Sequence, residues 1–185
     1  MHNAIKNSQR RGSNQRGMTL IELVMALAVV AIVVSLASPS LGSLVNRNRI
    51  VAASNELVAS INLARQNAVM QRAITSLCPS TDGQRCTGAN RWDEGWIVFR
   101  DPDNNRQPES QSDVLRVFSS LEGLHSDSAG RTRIRYFPTG FATGTNLTIK
   151  LCDPQYPDQS RAVIVSNSGR ARVDRIPRHL SCPTG

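Results

Sequence analysis

The chain has 185 residues, which is enough for one ordinary domain besides a long apolar segment near its N-terminus and leaves no room for a multidomain architecture. Its formal net charge is +8, but the first 17 residues hold four positive charges and no acid, which leaves +4 for the remainder. Aromatic residues make up only 4% of the chain, which argues against a nucleic-acid site built mainly from stacked bases.

The first element in chain order is a basic leader followed by an apolar segment. Residues 19–38 are twenty residues in which Glu22 is the only charge. This is the length that a helix needs to cross a bilayer, so we expect a transmembrane helix over residues 18–38. Under the positive-inside rule the leader stays cytoplasmic and the rest of the chain is exported.

A processing boundary lies before the apolar segment rather than after it. No small-residue cleavage site of the secretory kind follows the segment cleanly. A cut between Gly17 and Met18 would discard residues 1–17 and keep the helix. Glu22 then needs a partner, because an isolated charge at mid-helix in a bilayer costs about 2.5–3.5 kcal/mol. The alternative is that Glu22 only reaches the membrane interface.

The helical pattern continues over residues 39–74. Leu57, Ile61, Ala64 and Ala68 follow the spacing i, i+4, i+7, i+11. This spacing places them on one apolar stripe, which indicates an amphipathic helix that packs against a sheet.

From about residue 75 the pattern changes to short β-like runs separated by turn-rich segments. The sequence thus predicts an α+β fold, with a long N-terminal helix packed on an antiparallel sheet and a β-rich head over residues 75–185. The predicted strands are TSLC, GWIVFR, DVLRVFS, RTRIRYF, NLTIKLC, RAVIVSN and GRARVDR.

Four cysteines form an even set in a part of the chain that we expect to be exported, which predicts two disulfides. Of the three connectivities we favour neighbour pairing, Cys78 with Cys86 and Cys152 with Cys182. A zinc site is the rival interpretation, but the spacing contains no Cys-x-x-Cys or His-x-x-x-His pair.

We expect no enzyme, no cofactor and no metal site. The three histidines are scattered, and neither a Gly-x-Ser-x-Gly elbow nor a phosphate loop is present. Residues 101–109 collect several oxygen ligands that would suit calcium. They lack the spaced EF-hand pattern, and a loop between strands favours the same residue types.

The C-terminal region is rich in arginine. Gly169 would form a tight turn, after which Arg170 and Arg172 project from one face while Ala171 and Val173 face inward. Two guanidinium groups at this spacing suit successive phosphates of a nucleic acid, although a solvated hairpin has the same composition. Supporting candidates are Arg175 and Arg178; weaker candidates are Arg161 and the alternating Arg131, Arg133 and Arg135.

The stretch GMTLIELVMALAVVAI resembles the class III leader and N-terminal helix of type IV pilins and pseudopilins. The resemblance implies cleavage after Gly17 by a prepilin peptidase and N-methylation of Met18. It also implies that Glu22 pairs with the N-terminal ammonium of a neighbouring subunit in the filament. Such pairing answers why the charge is kept, since a paired buried charge costs less than an isolated one.

Later blocks, among them LCPSTDGQRC, RWDEGWIVF, YFPTGFATG and VIVSNSGRARV, resemble the GspH/FimT group of pseudopilins in type and order. The Gly-Arg-x-Arg segment is similar to the motif associated with DNA binding in FimT-like minor pilins of naturally transformable bacteria. The resemblance implies a single-pass inner-membrane subunit with a periplasmic head. That subunit joins other major and minor pilins in a pilus at the cell surface.

Three interpretations follow. The first is a minor type IV pilin that binds DNA without sequence preference for uptake in natural transformation. The second is a structural minor pilin or type II secretion pseudopilin that primes or caps a filament without binding DNA. The third is a single-pass membrane protein with no filament role, which predicts an uncleaved N-terminus.

Overall fold

The structure, a computed structural model, describes residues 17–175, apart from the side chains of residues 36–41. The leader before Gly17 lies outside this range. The chain divides into two compact units, Met1–Leu41 and Gly42–Gly185. Each unit is described by itself.

Helix α1 (Leu20–Gln71) begins directly after Thr19, whose side-chain oxygen accepts a hydrogen bond from the backbone N–H of Glu22 at 3.3 Å. This contact satisfies one of the free donors at the helix start. In the first unit the large apolar side chains between Met18 and Val34 are all exposed. The predicted crossing of a membrane is not confirmed, because no helix among the described residues is both long and apolar enough to span one.

The part of α1 in the second unit presents the predicted apolar stripe. Leu57, Ile61, Ala64 and Ala68 are fully buried. They belong to one core cluster with side chains of both sheets. The helix ends at Gln71, three residues before the predicted boundary.

Within residues 17–175, eight strands form two antiparallel sheets rather than the single sheet that the sequence suggested. The first sheet has the order β3-β2-β1-β5 and the second the order β4-β6-β7-β8. All seven predicted strands are present, and the prediction of an α+β fold with a helix on antiparallel sheet is confirmed. The strands are β1 (Thr75–Pro79), β2 (Trp96–Arg100), β3 (Val114–Phe118), β4 (His125–Asp127), β5 (Ile134–Tyr136), β6 (Leu147–Cys152), β7 (Arg161–Val165) and β8 (Ala171–Arg175).

Two aromatic side chains tie the helix to the first sheet. The Trp96 ring stacks on Phe118 with centroids 5.0 Å apart. The indole N–H of Trp96 donates to the Ser60 hydroxyl of α1 at 2.9 Å. All three side chains are buried, so this donor depends on a single protein partner.

A buried carboxylate connects the two sheets. Asp93 accepts two hydrogen bonds from the Arg91 guanidinium, at 3.0 and 2.7 Å, and two from Ser126, at 3.0 and 2.6 Å. Burial raises the pKa of Asp93, but the bonds from Arg91 and Ser126 outweigh burial and hold the pKa below its usual value. Ser126 lies in β4, so this network fastens a strand of the second sheet to the loop before β2.

Candidate functional site

The start of the described chain carries the residues expected to act in processing and assembly. Gly17, Met18 and Glu22 are exposed in the isolated chain. Glu22 is the third residue after Thr19, and Thr-x-x-Glu is a helix-capping pattern. The position of Glu22 therefore has a local effect as well, since a carboxylate in the first turn interacts favourably with the helix dipole. Cleavage and N-methylation stay predictions.

The β7–β8 hairpin carries the predicted arginine site. Its turn is closed by the backbone N–H of Ser166, which donates to the Arg170 carbonyl at 3.0 Å, and by that of Gly169, which donates to the Ser166 carbonyl at 2.9 Å. Gly169 has φ +77°, a backbone conformation that residues other than glycine rarely adopt. A Cβ atom there would also collide with the carbonyl oxygen of Gly140. Gly169 is buried, so it shapes the hairpin and does not face a ligand.

The turn is held from below by side chains that the sequence did not point to. The Tyr136 hydroxyl donates to the Gly169 carbonyl at 3.0 Å, and the Arg65 guanidinium of α1 donates to the same oxygen at 3.4 Å. Burial raises the pKa of Tyr136, so this hydroxyl keeps its proton and stays a donor. The backbone N–H of Ala142 donates to the Asn167 carbonyl at 3.0 Å. These hydrogen bonds fix the position of the hairpin tip.

Arg170 and Arg172 are exposed on this hairpin, and within residues 17–175 no hydrogen bond or ion pair engages either guanidinium. Arg172 pairs with Ile164 across the strands. Because side chains alternate along a strand, Arg170, Arg172 and Asp174 share the face of Ile164. One acid therefore accompanies the two arginines on that face.

The remaining candidates of the tail lie elsewhere. Arg175 pairs with Arg161 and belongs to the opposite face, which also carries Ala171 and Val173. Ala171 packs against the core as predicted, but Val173 is 41% exposed. Val173 lies on the predicted inner face, since it pairs with the buried Val163, but it is left partly uncovered because β8 is the edge strand of its sheet. Arg178 lies outside the described residues.

The arginines near β5 are mostly engaged within the fold. Arg133 forms an ion pair with the buried Asp101 at 3.1 Å. Arg135 donates to the Asn104 side chain at 2.9 Å and lies over the Phe137 ring, 4.5 Å from its centroid. Both side chains are therefore held by contacts within the head.

Arg131 and Arg133 do not alternate with Arg135 on a strand as expected. Strand β5 begins only at Ile134, because its pairing with β1 ends at Leu77. Arg131 is exposed, and its guanidinium donates to the Gly144 carbonyl at 3.1 Å. The three arginines therefore do not form one row.

In the loop considered for calcium, residues 101–109, the first carboxylate is engaged in contacts within the fold. Asp101 is fully buried and accepts hydrogen bonds from the Ser76 hydroxyl, the Arg133 guanidinium and the backbone N–H of Arg106. Among the described residues no group of three or more His, Cys, Asp or Glu side chains is arranged to hold a metal. The oxygen-rich composition of this loop is explained by its turn structure.

The structure contains the favoured disulfide between Cys78 and Cys86, with Cα atoms 5.5 Å apart. Cys152 is also disulfide-bonded. Its predicted partner, Cys182, lies outside the described residues. The first bridge closes a short loop beside an open cleft of about 630 Å³, which is also lined by Arg106, Arg131 and Arg133.

Comparisons with known proteins agree with this architecture. The family model described as type II transport protein GspH matches residues 53–169, and the model for the prokaryotic N-terminal methylation motif matches residues 12–38. The pilin-like protein PilA1 of Thermus thermophilus is 26% identical over 174 residues, which cover 86% of this chain and 99% of that protein.

Solved structures share the fold. The type IV minor pilin FimU of Pseudomonas aeruginosa superimposes with a TM-score of 0.52 at 21% identity, covering 74% of this chain and 95% of FimU. A second crystal form of FimU gives a TM-score of 0.51 at 20% identity, covering 71% of this chain and 95% of FimU.

Proposed function

This chain belongs to the GspH family of pilin-like type II transport proteins, and we propose that within this family it is a FimT-like minor type IV pilin that binds DNA through its β7–β8 hairpin. The subunit enters a filament by its N-terminal helix and carries the hairpin to the cell surface. There it contributes to DNA capture for natural transformation. It has no catalytic role.

Filament entry rests on the N-terminal segment. A prepilin peptidase removes the leader after Gly17, and Met18 becomes the methylated N-terminus. Before assembly the apolar residues that follow anchor the subunit in the inner membrane, with the head in the periplasm. In the filament these residues pack against neighbouring pilins, which would cover the apolar side chains that are exposed in the isolated chain. Glu22 then pairs with the ammonium group of a neighbour.

The mass of the mature chain tests this step. We expect a chain that starts at Met18 and carries one added methyl group, whereas an unprocessed start at Met1 would refute filament entry. A Glu22→Gln variant keeps the size of the side chain and removes its charge. We expect the variant to be processed normally but to be reduced in purified filaments. Equal incorporation would show that the charge has no role in assembly.

DNA contact rests on one observation. Arg170 and Arg172 are exposed on a rigid hairpin with no partner among the described residues, whereas Arg91, Arg100 and Arg133 are held in ion pairs. Two free guanidinium groups on one face suit adjacent phosphates. Since such contacts read no bases, binding is independent of sequence and weakens with salt.

The test is a titration of the full chain, in nonionic detergent at low salt, against a labelled duplex of random sequence. Arg170→Gln/Arg172→Gln should bind more weakly with unchanged folding. The matched control is Arg85→Gln/Arg116→Gln, which removes the same charge from exposed positions outside the hairpin. The control should bind nearly as well as the parent chain. Equal losses in both double variants would reduce the effect to net charge and refute a hairpin site.

The second candidate function is a structural subunit of a pilus or of a type II secretion pseudopilus that does not bind DNA. The family match to a type II transport protein favours it. It predicts no DNA binding at low salt. It also predicts that the hairpin variant supports filament formation and, in a secretion system, export. Location of the gene among pilus or secretion genes separates the two machines.

A further inference from the structure

A cleft of about 630 Å³ in the head has no lining residue from the β7–β8 hairpin. Its walls are the loop closed by the disulfide Cys78–Cys86, the loop after β2, and the segments on either side of β5. This volume lies in the range of small-molecule sites, roughly 300–1,000 Å³. The cleft is therefore large enough to hold a ligand with several non-hydrogen atoms.

The charged residues that line the cleft are all positive. Arg106, Arg131 and Arg133 line it, and none of its lining residues is an Asp or a Glu. The carboxylate of Asp101, which pairs with Arg133, is fully buried and already accepts three hydrogen bonds. It compensates one of the three cations and leaves two.

The arginines also disfavour one another. Burial lowers the pKa of Arg133, and the neighbouring charges of Arg106 and Arg135 lower it further, against the opposing effect of Asp101. A bound anion would relieve this repulsion. Arg106 is the best placed to meet one, since it is exposed and no described hydrogen bond or ion pair holds its guanidinium.

The backbone around the cleft is unusual. Arg106 has φ +76° and Ala129 has φ +51°, a region that non-glycine residues rarely adopt. These are two of the four described non-glycine residues with positive φ, and both line the cleft. Strained residues of this kind persist where the surrounding structure holds them and are concentrated at functional sites.

We propose that this cleft is a binding site for a phosphate-bearing ligand, with Arg106 and Arg131 as its direct contacts and Arg133 as a fixed charge behind them. Guanidinium groups form paired hydrogen bonds with phosphate oxygens, and the half-buried Thr132 hydroxyl adds a further donor at the wall. The phosphate comes from a free small molecule or from the end of a nucleic acid. The site is separate from the proposed hairpin contact and does not depend on it.

The probe is inorganic pyrophosphate, titrated calorimetrically into the full chain in nonionic detergent at low salt. We expect one salt-sensitive site. Arg106→Asn/Arg131→Gln should lose binding by at least about tenfold, a loss near 1.4 kcal/mol. Asparagine is chosen at position 106 because it tolerates positive φ better than most residues. Arg133 is left unchanged, because its loss would strand the buried Asp101.

The control is the hairpin variant Arg170→Gln/Arg172→Gln, which should bind pyrophosphate like the parent chain. Arg106→Asn alone provides a second test if the double variant is unstable, because the Arg106 side chain supports no described contact. Absence of binding by the folded parent chain would overturn the proposal. So would equal loss in the hairpin variant, which would assign the binding to the hairpin.

The source of the phosphate is distinguished by competition. A short oligonucleotide with a 5′-phosphate that displaces pyrophosphate, where the unphosphorylated one does not, assigns the cleft to nucleic-acid ends. No displacement by either oligonucleotide, with pyrophosphate binding intact, assigns it to a free phosphate-bearing molecule. If the hairpin fails to bind DNA but the cleft variants lose pyrophosphate, the proposed function fails and this site stands.

Discussion

Replacing Gly169 with alanine should destabilise the head far more than its small size suggests. The residue has φ +77°, so any side chain there costs about 1–2 kcal/mol of backbone strain. The new Cβ would also collide with the Gly140 carbonyl and approach the Tyr136 ring to 2.8 Å. Because the Gly140 carbonyl is part of the backbone, the turn must move.

Movement of the turn breaks the contacts that hold it. The buried Tyr136 hydroxyl loses its acceptor at Gly169, which costs about 1–3 kcal/mol, and the long Arg65 contact adds about 0.5 kcal/mol. The sum is a loss of about 2.5–5.5 kcal/mol in the free energy of unfolding. Gly169→Ala should then reduce DNA binding by unfolding the hairpin, since Gly169 itself is buried and carries no side chain.

Gly130→Ala is the matched control. Gly130 also has φ +77°, but no atom lies within 4 Å of its added Cβ. Gly130→Ala should lose only the backbone strain energy of about 1–2 kcal/mol in the free energy of unfolding. The two variants should therefore differ by about 1.5–3.5 kcal/mol, or about 3–14 °C in the thermal midpoint of a domain of this size, measured by circular dichroism. Equal midpoints would refute the inferred contact between the turn and the Gly140 loop.

Three further predictions concern the core of the head. The pKa of Asp93 is lowered in the fold. The stabilisation by its carboxylate is therefore present above about pH 4, the unfolded pKa, and is lost as the pH falls through the lower folded value. Asp93→Asn should flatten this acid dependence of stability and cost about 1–3 kcal/mol in denaturant titrations at pH 7. An unchanged acid limb would contradict the assigned network. Cys78→Ala/Cys86→Ala should lower stability by about 2–3 kcal/mol, the value for a loop of this length, and a loss below about 0.5 kcal/mol would count against it. Ser60→Ala should cost about 1–3 kcal/mol and alter tryptophan fluorescence, because Trp96 then buries an unpaired N–H; an unaltered unfolding curve would contradict this dependence.

Local pattern predicted much of the fold. The buried stripe of Leu57, Ile61, Ala64 and Ala68 follows from helical spacing alone, since one face of the helix must be covered. The hairpin turn at Gly169 follows from a turn signal between two β-rich runs. Such features depend on neighbours within a few residues, and the sequence states them directly.

Features that depend on distant partners were missed. Strand β4 (His125–Asp127) is three residues with no apolar alternation, and it is held by pairing with β6 and by the contact of Ser126 with Asp93. The division into two sheets depends on β5 pairing with β1 rather than with its neighbours in sequence. Neither choice leaves a local signal.

The candidate site shows the same limit. The exposed pair Arg170 and Arg172 was predictable from a short motif. Sequence could not show that Arg133 is held by Asp101, 32 positions earlier. Arg106 gave no signal at all, because an arginine in a polar loop becomes part of a cleft only through the packing of four separate segments.

The most direct test of the proposed function is the salt dependence of DNA binding. Contacts by Arg170, Arg172, Arg175 and Arg178, the tail arginines that the sequence pattern suggests, would give a log–log slope near −3.6 on duplex DNA. The structure places two of those four, Arg170 and Arg172, together on one exposed face. Arg170→Gln/Arg172→Gln should therefore flatten the slope by about 1.8 relative to the parent chain. A parallel slope for the two proteins, or no binding by the parent chain at low salt, would contradict DNA capture by this hairpin.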